Sequence, residues 1–243
     1  MEIKGDIWCL FEQSGTYRNA FRVLGYNAWD VDCSNMYNCT DFMRDIFKEI
    51  SRAFYGRHSL FDEMTKEDLL MAFFPCIYFC ENNELFFTAK SRNYKNMERS
   101  DVLHSIIRRA ESREYYYKLL LMLCTLCEER GLRLIVENPY SVHHFLHNNF
   151  PWEPAIIDRN RRVRGDYFRK PTMYYFINCT PTQGCSVIAP AKLLTVQGSR
   201  SSSVAGSCSL PRSICSPEYA RAFINDFIFG NPPIGDNILT FEN

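Results

Sequence analysis

The residue whose position most favours direct chemistry is Cys76. It follows a short apolar run, Leu69–Phe74, and Pro75. A run of this kind, bounded by charged and polar residues, is typical of a strand buried on both faces of an α/β sheet. Because proline cannot donate to a strand ladder, we predict that the strand ends at Pro75 and presents Cys76 at its carboxyl edge, where open α/β sheets bind ligands. A thiol there is a candidate nucleophile. The alternative is a small buried apolar residue, a role that cysteine often fills.

Glu137 occupies the same place in a second apolar run. Leu132–Val136 is a strand candidate, and it leads into Glu137, Asn138 and Pro139. The carboxyl ends of parallel strands meet at one edge of a sheet, so we expect Glu137 to lie near Cys76. A carboxyl group beside a thiol could supply acid catalysis on a ring nitrogen. Glu137 could equally be a solvated loop residue.

The first 32 residues predict a unit that could hold a nucleotide-like ligand. Ile7–Phe11 is a strand candidate, and a turn with Gly15 follows it. Tyr17–Leu24 has helical periodicity, and Ala28–Asp32 is a second strand candidate that ends in an acidic residue. In nucleotide-binding βαβ units the helix amino terminus faces the ligand and the acid binds the ribose hydroxyls. With one glycine, a βαβ unit without a ligand gives the same pattern.

A basic cluster and three histidines are further candidates. Six cations in the thirteen residues 158–170 could contact phosphate or could form a solvated turn: Arg159, Arg161, Arg162, Arg164, Arg169 and Lys170. His143, His144 and His147 lack a nearby carboxylate motif, which favours surface helix residues over a metal site. The Cys124/Cys127 pair fits a core-facing helix better than a metal or redox site, and Cys76/Cys80 lacks a second ligand pair.

The remaining segments supply helices and connections. Asp41–Tyr55 predicts a helix or a strand leading into one, and Asp101–Arg130 a long helix that stops at Gly131. Ser216-Pro217-Glu218 is a helix start. Three segments are predicted to be irregular: Glu81–Ser100 as a surface loop, Gln197–Ser209 as flexible or disordered, and Asn231–Asn243 as a tail.

Composition limits the class of protein. With 243 residues and 46% hydrophobic content, the chain is long enough for one α/β domain. Its formal net charge is zero, so nucleic acid would have to be bound by local basic patches. Eleven cysteines, an odd number, without a signal-peptide pattern predict reduced thiols in a cytoplasm. No apolar run approaches the roughly 20 residues of a membrane span.

Together these stretches resemble the cytosine-C5 DNA methyltransferases. Leu10–Gly25 is similar to the family's first motif, and Asp45-Ile46 resembles the pair that meets the cofactor's adenine. Asp68–Phe79 is similar to the strand ending in Phe-Pro-Cys that supplies the nucleophile, and Glu137-Asn138 to the pair that holds the base. The later motifs follow in order, in the form seen in short phage and gut-bacterial relatives: Gly165–Thr172 and Ser213–Ile228.

The resemblance implies a Rossmann-like S-adenosylmethionine-dependent methyltransferase fold with three parts. Residues 1–180 would form the catalytic domain, 181–212 a reduced, partly flexible insert in place of a target-recognition domain, and 213–243 a returning helix and tail. The partner would be DNA, single-stranded or distorted, and no metal is implied.

The resemblance also implies roles for individual residues. Cys76 would attack C6 of cytosine, and Glu137 would protonate or hydrogen-bond N3. Because an ordinary thiol is little ionised at neutral pH, a nearby cation such as Arg169 or a strand-to-helix amide should assist the thiolate. The residues implied for S-adenosylmethionine are Phe11, Gly15, Thr16, Asp32, Asp45, Ile46 and Pro75. Those implied for nucleic acid are Arg161, Arg162, Arg164 and Lys170.

The chain departs from the family pattern at four places. Glu12-Gln13-Ser14 stands where a glycine-rich turn is usual, Phe73-Phe74 precedes the Pro-Cys pair, and Asn138-Pro139 puts proline in place of valine. Only about 36 residues separate Phe176 from Ser213, too few for the usual recognition domain. The alternative is therefore a binding protein of phage or mobile-element origin that keeps the fold without the reaction.

Overall fold

The computed structural model describes residues 1–193 and 214–230. The strands are β1 (Ile7–Leu10), β2 (Ala28–Asp32), β3 (Phe42–Met43), β4 (Leu69–Ala72), β5 (Arg133–Pro139), β6 (Ile156–Asp158) and β7 (Thr172–Ile177). The helices are α1 (Thr16–Val23), α2 (Ile46–Phe54), α3 (Arg99–Arg130), α4 (Phe145–Asn149) and α5 (Pro217–Phe223), the last continued by a π-helical segment, Ile224–Phe229. Short 3-10 turns cover Leu60–Asp62, Glu81–Phe87, Arg92–Tyr94 and Arg161–Val163.

These strands form one seven-stranded, mostly parallel sheet in the order β3-β2-β1-β4-β5-β7-β6. Strands β1 to β5 run parallel, and β7 runs antiparallel to both of its neighbours, β5 and β6. The strand order changes direction between β1 and β4, which gives a topological switch point at their carboxyl ends. The architecture is a mixed α/β fold compatible with the Rossmann-like class.

Helices cover both faces of the sheet because successive strand residues point to opposite sides. Trp8 and Leu10 belong to the core beneath α2 and α3, whereas Ile7 and Cys9 belong to the core beneath α1 and α5. All four are buried. This double burial explains why the central strands read as continuous apolar runs in the sequence.

Two strands end at places that differ from the prediction. Strand β4 ends at Ala72, three residues before Pro75, although the Phe73 amide still donates to the Leu10 carbonyl at 2.9 Å. Strand β5 continues through Pro139. A proline is tolerated there because the ladder with β4 already ends at Ala72 opposite Val136, so no β4 residue lies alongside Pro139 to accept from an amide. Pro139 thus pairs in register with Thr172 of β7.

The segment Glu81–Ser100 was predicted as a loop, but it contains two 3-10 turns and the first residues of α3. Arginines of α3 hold it in place, since Arg113 lies 3.8 Å from the centre of the Phe87 ring. The predicted long helix is confirmed, with Gly131 in the left-handed conformation at its end. Strand β6 was not predicted, and helix α4 falls where the histidines were interpreted as helix residues, although it contains only His147 of the three.

The start of α5 follows the prediction, with the Ser216 hydroxyl accepting a hydrogen bond from the Tyr219 amide. Within the predicted insert at 181–212, residues 181–193 form no helix or regular strand. The expected flexibility of Gln197–Ser209, the first residue of the final motif and the tail after residue 230 lie outside the described residues.

Candidate functional site

A cavity of about 360 Å³ lies at the switch point of the sheet. Its wall comes from the segment after β1, the segment after β4 and the end of β5. Open α/β sheets bind ligands at this place, and the volume lies within the roughly 300–1,000 Å³ of small-molecule pockets. The polar or reactive side chains in the wall include Glu12, Gln13, Cys76, Glu137, Arg161 and Lys170.

Cys76 opens a tight turn beyond β4. Its carbonyl accepts hydrogen bonds from the amides of Phe79 at 2.9 Å and Cys80 at 3.1 Å. A hydrogen bond from the Cys80 thiol lowers the pKa of Cys76, and the positive charge of Lys170 acts in the same direction, against burial and the charge of Glu137. The net lowering of the Cys76 pKa increases the fraction of thiolate, which is the nucleophilic form.

Glu137 lies on β5, next to β4, and is 8% exposed. Its Oε1 atom is 3.6 Å from Nη1 of Arg161 and 3.5 Å from Nζ of Lys170. Both Cys76 and Glu137 line the cavity, which confirms the prediction that they lie close together at one edge of the sheet. Two cations lie against the carboxyl group, an arrangement that sequence spacing alone did not reveal.

Asn138 links the two strand ends. Its side-chain amide donates to the Phe74 carbonyl at 3.0 Å and to the Glu137 carbonyl at 2.8 Å, and the residue is fully buried. One side chain therefore fixes the backbone just before Pro75 against the backbone that carries Glu137.

The cation beside the thiol is Lys170, and not Arg169 as expected. Arg169 is exposed and does not line the cavity, whereas Lys170 does. Neighbouring residues in an extended segment point to opposite sides, so only one of the two can face the site. The Arg169 carbonyl contributes instead to local structure, accepting from the Arg161 amide at 3.0 Å.

Three arginines expected to contact nucleic acid make contacts within the protein. Arg161 is 2% exposed, with Nε 2.6 Å from Oδ2 of Asp166. Arg164 forms ion pairs with Asp158 at 3.1 Å and Asp226 at 2.9 Å. Arg162 donates through Nε to the Tyr167 carbonyl at 3.4 Å. Of the four residues in that prediction, Lys170 and the buried Arg161 line the cavity.

The residues expected to bind a cofactor divide into two groups. Phe11 and Pro75 line the cavity. The Asp32 carboxylate faces its own loop, accepting from the Ser34 amide at 2.7 Å and from the Gln13 side chain at 3.4 Å. Gln13 lines the cavity, whereas Asp32 does not. The other expected residues do not line the wall: Gly15, Thr16, Asp45 and Ile46.

Two of these residues have clear structural roles. Asp45 caps α2, accepting from the Lys48 amide at 3.2 Å, and Ile46 is buried in the core. Gly15 adopts φ 65°, a left-handed conformation that glycine favours, and a Cβ there would collide with the Arg18 guanidinium. Gly15 therefore permits the turn into α1.

Sequence reasoning treated Glu12 only as a departure from a family pattern, and the structure gives it a role in the wall. Its carboxylate accepts hydrogen bonds from the Tyr17 amide at 2.8 Å and the Arg18 amide at 3.3 Å. It thus caps the amino terminus of α1, where negative charge is stabilised. Burial nevertheless raises the pKa of Glu12 to about 7. An acid shortly before a predicted helix was the signal for this role.

The prediction that the histidines are surface helix residues is wrong for His144, which has a structural role in the core. His144 is buried and caps α4, its Nδ1 accepting from the Leu146 amide at 3.2 Å, and burial lowers its pKa to about 4. Within residues 1–193 and 214–230, no group of three or more His, Cys, Asp or Glu side chains could hold a metal ion. Among the described helices, none has the length and apolar character needed to cross a membrane.

No family model matches the chain, and a search of curated proteins finds no match either.

Proposed function

We propose that this protein transfers a methyl group from S-adenosylmethionine to C5 of cytosine in DNA, through a covalent bond between Cys76 and C6 of the base. One observation carries the proposal. The Cys76 thiol, with a lowered pKa, lies in the turn beyond β4, and the buried Glu137 carboxyl group lies on the neighbouring parallel strand β5; both line one cavity at the switch point of the sheet.

The fold gives this proposal further support. A seven-stranded, mostly parallel sheet flanked by helices is compatible with the Rossmann-like fold that the resemblance implies. In such sheets ligands bind beyond the carboxyl ends of the strands at the switch point. The cavity that holds Cys76 and Glu137 lies at that place.

The proposed reaction requires a thiolate as the nucleophile and a proton or hydrogen bond at N3 of the cytosine ring. In the proposed reaction Cys76 adds to C6, and Glu137, held by Arg161 and Lys170, donates a hydrogen bond or proton to N3. C5 then becomes nucleophilic and takes the methyl group. Loss of the C5 proton to a base, with return of the N3 proton to Glu137, then breaks the Sγ–C6 bond and releases the Cys76 thiolate.

The wall of the cavity fits a cofactor that carries positive charge. S-adenosylmethionine, when bound, supplies an electrophilic methyl group on a sulfonium. Glu12 presents a buried carboxyl group at the wall, and burial raises its pKa to about 7 against the hydrogen bonds from the Tyr17 and Arg18 amides. Phe11 and Pro75 offer apolar surface beside it. These three residues would hold the cofactor, whereas Asp32 does not line the cavity.

A second candidate, a binding protein of this fold without the reaction, is favoured by one observation. Glu12 and Gln13 occupy the helix amino terminus and the Asp32 carboxylate, two positions that the family resemblance would leave to the cofactor. Calorimetry with S-adenosylmethionine separates the two candidates. Saturable binding favours the enzyme, and the absence of heat at millimolar ligand favours the second candidate.

The reaction itself is tested with a single-stranded oligonucleotide containing 5-fluorocytosine, whose C5 substituent cannot be eliminated. We expect a denaturant-stable protein–DNA adduct that requires S-adenosylmethionine and is lost in Cys76→Ser. Glu137→Gln should remove most of the adduct, since groups that act as a unit lose function together. Methyl transfer that survives Cys76→Ser, or methylation found on adenine, would contradict the proposal.

A further inference from the structure

A second groove, also of about 360 Å³, lies between α3 and the 3-10 turns that follow Cys76. We call it the arginine groove and define it by six of its lining residues: Tyr78, Phe86, Asn93, Ser105, Arg108 and Arg109. Tyr78 is two residues from Cys76, so their Cα atoms are at most about 7.6 Å apart. The arginine groove therefore begins beside the turn that carries the candidate nucleophile.

Two guanidinium groups give the arginine groove its charge. The Arg109 guanidinium lies 4.5 Å from the centre of the Phe86 ring and 5.6 Å from that of Tyr78. Its Nε atom is buried and has no hydrogen-bond partner among the described residues. Arg108 is exposed and donates to the Ser105 hydroxyl at 3.4 Å.

Neither arginine forms an ion pair with a carboxylate within the described ranges, and no acidic residue lines the groove there. Arg113, one turn further along α3, differs because its Nη1 lies 3.0 Å from Oε1 of Glu84. Arg113 thus fastens the 3-10 turn to α3, while Arg108 and Arg109 keep their positive charges out of such ion pairs among the described residues. Such a surface is complementary to phosphate.

The other lining groups indicate which phosphate compound fits. Aromatic rings beside arginines are the combination that binds single-stranded nucleic acid, since bases stack on rings and guanidinium planes while cations follow the backbone. Duplex DNA keeps its bases stacked inside and cannot use such rings. The Asn93 side chain and the Ser105 hydroxyl add hydrogen-bonding groups that could reach sugar or phosphate.

We propose that the arginine groove binds a single strand of DNA, in the stretch next to the base held at Cys76. The identity of that base rests on the proposed function, whereas binding of the strand can be measured without methyl transfer. The overall charge of the chain is zero, so a local patch of this kind is what would hold the substrate. The arginine groove would thereby replace part of the substrate binding that a recognition domain supplies, since the chain has little room for such a domain.

The test is fluorescence anisotropy of the full-length protein, without cofactor, with a fluorescein-labelled single strand of mixed sequence over a range of salt concentrations. We expect Arg108→Glu and Arg109→Ala each to weaken binding by about tenfold or more, and to reduce the salt slope by about one. Arg109→Lys, which keeps the charge but not the planar group, should recover only part of the affinity. Lys118→Glu makes the same charge change as Arg108→Glu at an exposed position of α3 outside the groove, and should weaken binding less than about threefold.

Three outcomes would overturn the inference. The first is an equal loss of single-strand affinity in Arg108→Glu and Lys118→Glu, and the second is duplex binding that depends on Arg108 as strongly as single-strand binding does. The third is complete displacement of the single strand by millimolar inorganic phosphate. Thermal unfolding of each variant shows whether a loss reflects misfolding. The two proposals fail separately. If Arg108 contributes to strand binding but no methyl transfer is found, only the enzymatic proposal is contradicted. If methyl transfer is found but Arg108→Glu binds the single strand as tightly as the wild type, only the proposal for the arginine groove is contradicted.

Discussion

The thiol of Cys80 stabilises the thiolate of Cys76, because its hydrogen bond is the largest cause of the lowered Cys76 pKa. Removing the donor in Cys80→Ala should raise the pKa of Cys76. The alkylation rate of Cys76 at neutral pH should then fall, and its pH profile should move to higher pH. Cys80→Ser keeps an O–H donor and should remain close to the wild type. Peptide mass spectrometry after timed iodoacetamide treatment measures the rate.

The exposed Cys33 provides an internal control for that experiment, since its alkylation should not change in either variant. Identical Cys76 profiles in wild type and Cys80→Ala would show that the cations alone set its reactivity.

Glu12 makes stability depend on pH. Its pKa is about 7 in the folded protein against 4.5 ordinarily, so the folded state binds more protons between these two values. The free energy of unfolding contributed by this group is therefore fully present below pH 4.5 and is lost as the pH rises through 7. Glu12→Gln keeps an acceptor for the Tyr17 amide but cannot ionise, so its stability should lack this decline.

The expected difference between Glu12→Gln and wild type grows by about 3 kcal/mol from pH 4.5 to above 7, at 1.36 kcal/mol per pKa unit. Urea unfolding of both proteins across that range measures it. A constant difference at every pH would contradict a raised pKa for Glu12.

At the scale of elements, the two central strands are aligned by a side chain as well as by their ladder. Asn138 joins the ends of β4 and β5 through its bonds to the Phe74 and Glu137 carbonyls. Asn138→Asp removes the donor at nearly constant size and leaves two buried carbonyls facing a carboxyl group. We expect a loss of about 1–3 kcal/mol in the free energy of unfolding. Adduct formation with 5-fluorocytosine DNA should fall by a larger factor than stability explains, because Cys76 and Glu137 would no longer be held together.

Asn178→Asp is the matched control for this prediction. Asn178 also donates to two backbone carbonyls, those of Cys127 at 2.8 Å and Leu132 at 3.1 Å, but it lies away from the cavity. Its loss should lower stability without a specific effect on the adduct. Equal adduct formation by the two variants would argue against a positioning role for Asn138.

At the scale of the whole molecule, one buried carboxylate connects three distant parts of the chain. Asp226 accepts from Arg164 at 2.9 Å and from the hydroxyl of Ser186 at 2.6 Å, and it is fully buried. Asp226→Ala leaves Arg164 with Asp158 as its remaining carboxylate partner. The loss of one member of a buried pair typically costs about 3–5 kcal/mol. Thermal and urea unfolding should show a destabilisation of that size.

The Asp226→Ala/Arg164→Ala double variant should lose less than the sum of the two single variants, since each removes the other's partner. The exposed pair of Glu2 and Lys4, 3.8 Å apart, is the comparison, and Glu2→Ala should change stability by less than about 1 kcal/mol. If the losses in unfolding free energy of the two single variants simply add in the double variant, the contact between Asp226 and Arg164 contributes little to stability.

The sequence by itself determined the elements that carry the site. The apolar runs before Cys76 and Glu137, the glycine after β1 and the serine before α5 are local signals, and the structure places a strand or helix at each. Alternation, periodicity and capping depend on residues within one or two turns, so they can be read without knowing the fold. The meeting of Cys76 and Glu137 followed from one further rule, that parallel strands share a carboxyl edge.

Only the tertiary structure decided which charges serve the cavity. Arg164 and Asp226 are 62 positions apart, and Arg161 and Lys170 reach Glu137 from another segment of the chain. The six cations of residues 158–170 cannot be told apart in the sequence. Packing buries Arg161 in an ion pair, and it places Lys170 rather than Arg169 at the cavity. The cause is physical: the partner of a charge is set by the three-dimensional path of the backbone, and the desolvation that fixes its energy exists only once the chain has folded.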